Sequence, residues 1–216
     1  MPHYIMVCEG YSERAYLQRL QSFLDSQTSN FEVPLRFIPK MPINSDGDEN
    51  GGGFCGNVTR CYRQQRRDNG TSQIEVWVDH DIYLRQDSAP ERRNRASYLG
   101  KPAGIPDFLF SFHNFEDFLV LHLDEAARQR WHNAFALGHV DHPLHSADYL
   151  PRYEAVNPGY QKGSLSPDFI TCESLSRLKA NLERPLVPIP ADTHFRSFAH
   201  FLIAQIDAAF PDLLAP

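Results

Sequence analysis

Ile74-Glu75-Val76-Trp77-Val78-Asp79-His80-Asp81 decides the fold, because a β-branched and aromatic run is cut short by two aspartates. A second run of this kind, Tyr4-Ile5-Met6-Val7-Cys8, ends in Glu9-Gly10. Between them the spacing predicts a helix opened by Ser12 as its cap. That helix carries Tyr16, Leu17, Leu20, Phe23 and Leu24 on one face. A strand over 31–38 follows, with Pro34 pointing to an edge position or an irregularity. An arginine-rich helix is expected over 57–68, and a fourth strand over 108–112. Strands separated by helices imply βαβ units and a mostly parallel sheet flanked by helices, an α/β fold.

Beyond this the texture becomes helical. Helices are expected over 115–123 and 125–137, a loop over 138–163, a helix near 172–183, and an amphipathic helix over 193–210 that buries Phe198, Phe201, Leu202, Ile206 and Phe210. This reads as one α/β domain, with a core over 1–123 and a helical C-terminal extension over 124–216 packed on that core. The loop over 39–56 holds Asp46, Asp48, Glu49 and three successive glycines, Gly51, Gly52 and Gly53. Such a composition packs poorly on its own and suits a segment closing over a site.

Composition bounds the function. The chain has 216 residues and a net charge of −6, which argues against a nucleic-acid coat held by bulk positive charge. At 42% hydrophobic it has the material for a proper core. No run approaches the ~20 apolar residues of a membrane span. No basic segment leads into an apolar core at the start, so a cytoplasmic protein without membrane attachment is expected. Cys8, Cys55, Cys61 and Cys172 show no C-x-x-C spacing and read as free thiols. His139, His142 and His145 are evenly spaced, but Pro143 breaks any helix aligning them, so no zinc site is expected. The glycine run lacks a Lys-Ser/Thr ending, so it is not a phosphate loop.

The acids at the strand ends carry the chemistry. In a parallel sheet Glu9, Asp79 and Asp81 share the carboxyl edge, where ligands bind. Residues two apart on an extended chain point the same way, so Asp79 and Asp81 are expected to face one pocket, with His80 turned away. Crowded carboxylates repel unless a cation lies between them, and hard oxygen donors suit Mg²⁺ or Mn²⁺. Glu13 is one helical turn beyond Glu9, within reach of the same side. It is equally a first-turn acid complementing the helix dipole. Arg60, Arg63, Arg66 and Arg67 on one helix, with Arg92 and Arg93 after the aspartates, would contact phosphates without reading bases. They also fit a solvated helix face.

Glu9-Gly10-Tyr11-Ser12-Glu13 with Tyr16, then Val76-Trp77-Val78-Asp79-His80-Asp81, then Ser111-Phe112-His113-Asn114-Phe115-Glu116 with Leu119 and His122, and finally Tyr160-Gln161-Lys162, resemble the successive motifs of RloB-like Toprim proteins. These are related to the Toprim nucleases of the OLD type. The resemblance spans residues 4–163, with a weaker echo over 193–206. Ser12 stands where that pattern has Thr, and the proline before Phe115 is missing.

The resemblance implies a Toprim-like, Rossmann-type core and a metal-dependent nuclease cutting DNA or RNA, tRNA included, in prokaryotic anti-phage defence or a restriction-linked system. It implies that Glu9 and Asp79 hold one ion, and that Glu13, Asp81 and Glu116 complete the cluster and hold a second. Glu9 is alternatively a general acid or base. Lys162 would neutralise the scissile phosphate. A partner ATPase of the ABC or AAA type is implied too, because the chain has no nucleotide-hydrolysing motif; self-association into a homo-oligomer is left open. The competing reading is a non-catalytic nucleic-acid-binding or regulatory subunit of an ATPase-containing defence complex.

Overall fold

The computed structural model describes residues 2–28, 34–44, 46–49, 51, 53–70, 72–81, 86–111, 114–135, 146–184 and 196–214. Five parallel strands form one sheet: β1 (His3–Cys8), β2 (Arg36–Lys40), β3 (Gln73–Asp79), β4 (Leu109–Ser111) and β5 (Arg196–Ser197), in the order β2-β1-β3-β4-β5. The eight helices with described bounds are α1 (Tyr11–Ser26), α2 (Cys55–Asn69), α3 (Ala89–Leu99), α4 (Phe115–Val120), α5 (Glu125–Phe135), α6 (Ser146–Val156), α7 (Cys172–Leu182) and α8 (Phe198–Ala209).

Strand alternation sorts the core onto the two sheet faces. Tyr4, Met6, Cys8, Trp77 and Leu109 join Tyr16, Leu17 and Leu20 of α1 and Phe198 and Leu202 of α8. Ile5, Val7, Val76, Val78 and Phe110 join Val58 and Tyr62 of α2 and Tyr98 of α3 on the other face. Helices thus cover both faces, as a parallel sheet requires. After β1 the chain moves outward to β2, then returns past β1 to lay down β3. The strand order therefore reverses between β1 and β3, and a crevice opens at their carboxyl ends.

Several expectations need correction. β2 lies at the sheet edge but runs over Arg36–Lys40, after Pro34, while residues 31–33 lie outside the described residues. Gly10, not Ser12, caps α1: its backbone is extended and its N–H donates to Glu13 Oε2 at 3.0 Å. α2 starts at Cys55, two residues before the expected 57. α3 was not anticipated as a helix, although Ser88 and Glu91 form a capping box around it.

α6 occupies part of the expected 138–163 loop, carries Pro151 internally and buries Tyr153 and Val156. The final helix begins only at Phe198, because Arg196 and Ser197 extend to pair with Leu109 and Phe110 of β4. The helices after residue 123 pack on the same core as the sheet. Trp77 of β3 stacks on Phe198 of α8 with ring centroids 3.6 Å apart. The His139, His142 and His145 series lies outside the described residues. No described helix is long and apolar enough to cross a membrane.

Candidate metal centre

The parallel register sets the site. Cys8 pairs with Trp77, so the next residue, Glu9, falls beside the end of β3. Its N–H donates to the Trp77 carbonyl at 3.1 Å, and its Oε2 accepts from Asp79 N–H at 2.7 Å. The sharp start of α1 after Gly10 then brings Glu13 back over the strand ends. Oxygens of Glu9, Glu13 and Asp79 all lie within 4.8 Å of one another.

These acids line a cavity of about 430 Å³ together with Glu116 and Lys162. Glu116 arrives from the start of α4, where Asn114 does the capping by accepting from Asp117 N–H at 2.9 Å. The Glu116 side chain is thereby left for the cavity, where Tyr160 donates to its Oε1 at 3.3 Å. Lys162 sits in the tight turn between Gln161 and Ser164, which Gly163 permits with a φ of +79°.

Electrostatics in the cavity are unfavourable as they stand. Burial first, and then the charges of Glu9, Glu13, Asp81 and Glu116, hold the Asp79 carboxyl well above its ordinary range. Burial pushes Glu13 up to about 7, with Glu116 adding to the rise; the Gly10 N–H and Lys162 pull the other way. Glu116 is raised by burial and eased back mainly by Lys162. Asp79 Oδ1 is sequestered from solvent without a hydrogen-bond partner among the described residues.

A divalent cation fits this arrangement. The donors are hard carboxylate oxygens with no thiolate or imidazole among them, and one is orphaned. Oxygens on a Mg²⁺ octahedron of ~2.1 Å radius sit about 3 to 4 Å apart. Small side-chain adjustments would bring Glu9, Glu13 and Asp79 to those separations.

Of the expected site residues, Glu9, Glu13, Asp79, Glu116 and Lys162 share one cavity. Asp81 does not line it. The strand ends at Asp79 and the chain turns helical at once, so the alternation of an extended chain does not apply at Asp81. Asp81 is nonetheless buried, and its charge acts on Asp79 and Glu116. His80 turns away as expected, its ring edge-on to Phe110 at 5.1 Å.

The arginines stand apart. Arg60, Arg63, Arg66 and Arg67 on α2 and Arg92 and Arg93 on α3 are exposed, and none lines the cavity. Arg66 donates to the Gly70 carbonyl, and Arg92 to those of Gln86 and Asp87.

Tyr11 and Glu49 also line the wall, without a role in the sequence pattern. Glu49 belongs to the acidic, glycine-rich loop expected to close over a site. Gly51 is the signal: a Cβ there would lie 3.3 Å from Gly10 Cα and 3.4 Å from the Glu9 carbonyl oxygen. A side chain there would oblige the backbone at Glu9 and Gly10 to give way by a few tenths of an ångström, so glycine suits this close approach.

Fold and site together define an α/β protein with a carboxylate centre at the switch point of a parallel sheet. Compared with protein-family models, curated proteins and solved structures, the chain matches none.

Proposed function

We propose that this chain is a Mg²⁺- or Mn²⁺-dependent phosphodiesterase, a nuclease of the RloB-like Toprim type acting on DNA or RNA. The observation that carries the reading is the convergence of Glu9, Glu13 and Asp79 within 4.8 Å at the carboxyl ends of adjacent parallel strands. These three would hold one ion, and Glu116 would serve a second. Such ions, when bound, activate the attacking oxygen and offset charge on the leaving one.

The chain's own groups perform the rest. Lys162, on the cavity wall, would offset the non-bridging oxygens of the scissile phosphate, and its charge already acts on Glu13 and Glu116. Tyr160 fixes the Glu116 carboxylate by its hydroxyl. The exposed arginines of α2 and α3 would take phosphates more distant from the cut. The defence or restriction-linked setting, cytoplasmic location and an ATPase partner are proposed with the family resemblance.

The test is to incubate the protein with Mg²⁺ or Mn²⁺ and plasmid, linear and single-stranded DNA, total RNA and tRNA. Glu9→Gln and Asp79→Ala run in parallel, with and without a partner encoded by a neighbouring gene. Cleavage in either metal that both substitutions abolish is expected. Nucleic-acid binding without cleavage under every condition would favour a regulatory subunit instead.

A further inference from the structure

Tyr11 is the one exposed large apolar side chain, among the described residues, that also lines the carboxylate cavity; 45% of its surface is open. It is held firmly for so exposed a ring. As the first residue of α1 it directly follows Glu9-Gly10, and its hydroxyl donates to the Glu49 carbonyl at 3.0 Å. The Arg14 guanidinium lies 4.9 Å from the ring centroid and is itself paired with the Glu49 carboxylate. The turn carrying Lys162 reaches the root of the side chain, where a Cβ on Gly163 would lie 3.5 Å from Tyr11 Cβ. A hydroxyl bond, a cation against the ring and a turn at its root thus fix an aromatic plane on the wall of the cavity that also holds Lys162 and the carboxylate centre.

The geometry points to Tyr11 as the stacking seat for a nucleobase next to the scissile phosphate, and therefore to an unpaired nucleotide as the substrate. This rests on the phosphodiesterase reading of the same cavity. A base inside a duplex has both faces covered by its neighbours, so an aromatic plane is offered only to bases that are single-stranded, looped or turned out of the stack. Stacking tolerates any base, since each has a π face, and the adjacent Lys162 supplies the phosphate contact that stacking lacks. The Arg14 cation also polarises the ring, as in an arginine–aromatic–base stack.

Binding separates this inference from catalysis. Ca²⁺ replaces Mg²⁺, and anisotropy is followed for labelled single-stranded DNA, single-stranded RNA and a blunt duplex. A single-stranded oligonucleotide containing 2-aminopurine reports stacking directly. The native chain is expected to prefer the single strands and to quench 2-aminopurine. Tyr11→Ala should weaken single-strand binding by about 10- to 100-fold and abolish the quench, with duplex binding unchanged. Tyr11→Phe and Tyr11→Trp, which keep a ring, should stay within about three-fold of the native chain.

The inference is overturned if Tyr11→Ala binds single strands as the native chain does, if duplex binding falls equally, or if no single-strand preference exists. A Tyr11-dependent preference without cleavage in any metal would sink the nuclease reading and leave the seat standing. Metal-dependent cleavage indifferent to Tyr11 would do the reverse.

Discussion

Glu13 and Tyr16 lie one turn apart on α1, both are buried, and they meet opposite surroundings. Tyr16 is packed among rings, with Phe118 at 4.8 Å and Trp77 at 5.9 Å between centroids, and its hydroxyl is 3.1 Å from His122 Nε2. All of these groups are neutral, and burial lowers His122 to about 3 so that it stays so. Glu13 faces Glu9, Asp79 and Glu116, a grouping that internal contacts alone leave strained. The aromatic end of this pair is arranged to be stable and the acidic end to receive something positive.

The largest expected effect falls on the aromatic end. Trp77→Ala removes a fully buried ring stacked on Phe198, together with the Nε1 donor to Ser111 Oγ at 2.8 Å. Urea unfolding should show a loss of about 3 to 5 kcal/mol. At the acidic end the same measurement should come out differently. Asp79→Ala in chelator should leave the urea midpoint unchanged or higher, because a buried like-charge group is removed. The same variant should lower metal-dependent cleavage by more than ~100-fold and lose the stabilisation that added Mn²⁺ gives the native chain. If Asp79→Ala destabilises the apo protein as Trp77→Ala does, the contrast between the two ends collapses.

The pH response sharpens the contrast further. His122 titrates near 6.5 when unfolded and near 3 when folded, so below about 6.5 the unfolded chain binds a proton that the fold refuses. Stability from this group is complete above that value and declines as pH falls, by up to ~1.4 kcal/mol per pH unit. Glu13, at about 7, and Asp117, raised by burial to about 8, act oppositely. They hold protons in the fold and favour it less as pH rises through those values. Comparing urea midpoints of native and His122→Gln chains at pH 7 and pH 5 isolates the histidine. The variant should lose less on acidification. The smallest effect is expected for Tyr16→Phe, about 1 kcal/mol for its single hydrogen bond, with cleavage unchanged.

What was legible in the sequence followed from short-range physics. The Ile74–Val78 run and its terminal acids marked β3 and the sheet edge where ligands bind, and Glu9-Gly10 marked the same edge of β1. Glu13 came into reach by helical periodicity. The elements that escaped depend on distant partners. β5 is two residues long and is a strand only because Phe110 lies beside Ser197. α6 forms around Pro151 because Tyr153 and Val156 find the core. The turn into a helix directly after Asp79 was not legible, because periodicity says nothing about where a strand stops. The glycines of the 39–56 loop marked it as a segment closing over a site, but that Gly51 fits against Gly10 and sets Glu49 in the wall depends on two segments that only the fold brings together.

The hydrogen bond from the Tyr4 hydroxyl to Gln205 Oε1, at 2.6 Å, joins positions 201 residues apart. During synthesis the acids at Glu9 and Asp79 emerge well before the stretch that closes their sheet. Until residues 196–206 follow, the outer edge of β4 has no partner and the Trp77 ring lacks its stacking neighbour. Contacts at such separation make folding slow and leave it to finish late. For a protein proposed to cut nucleic acid, that order delays a complete catalytic centre until most of the chain has left the ribosome.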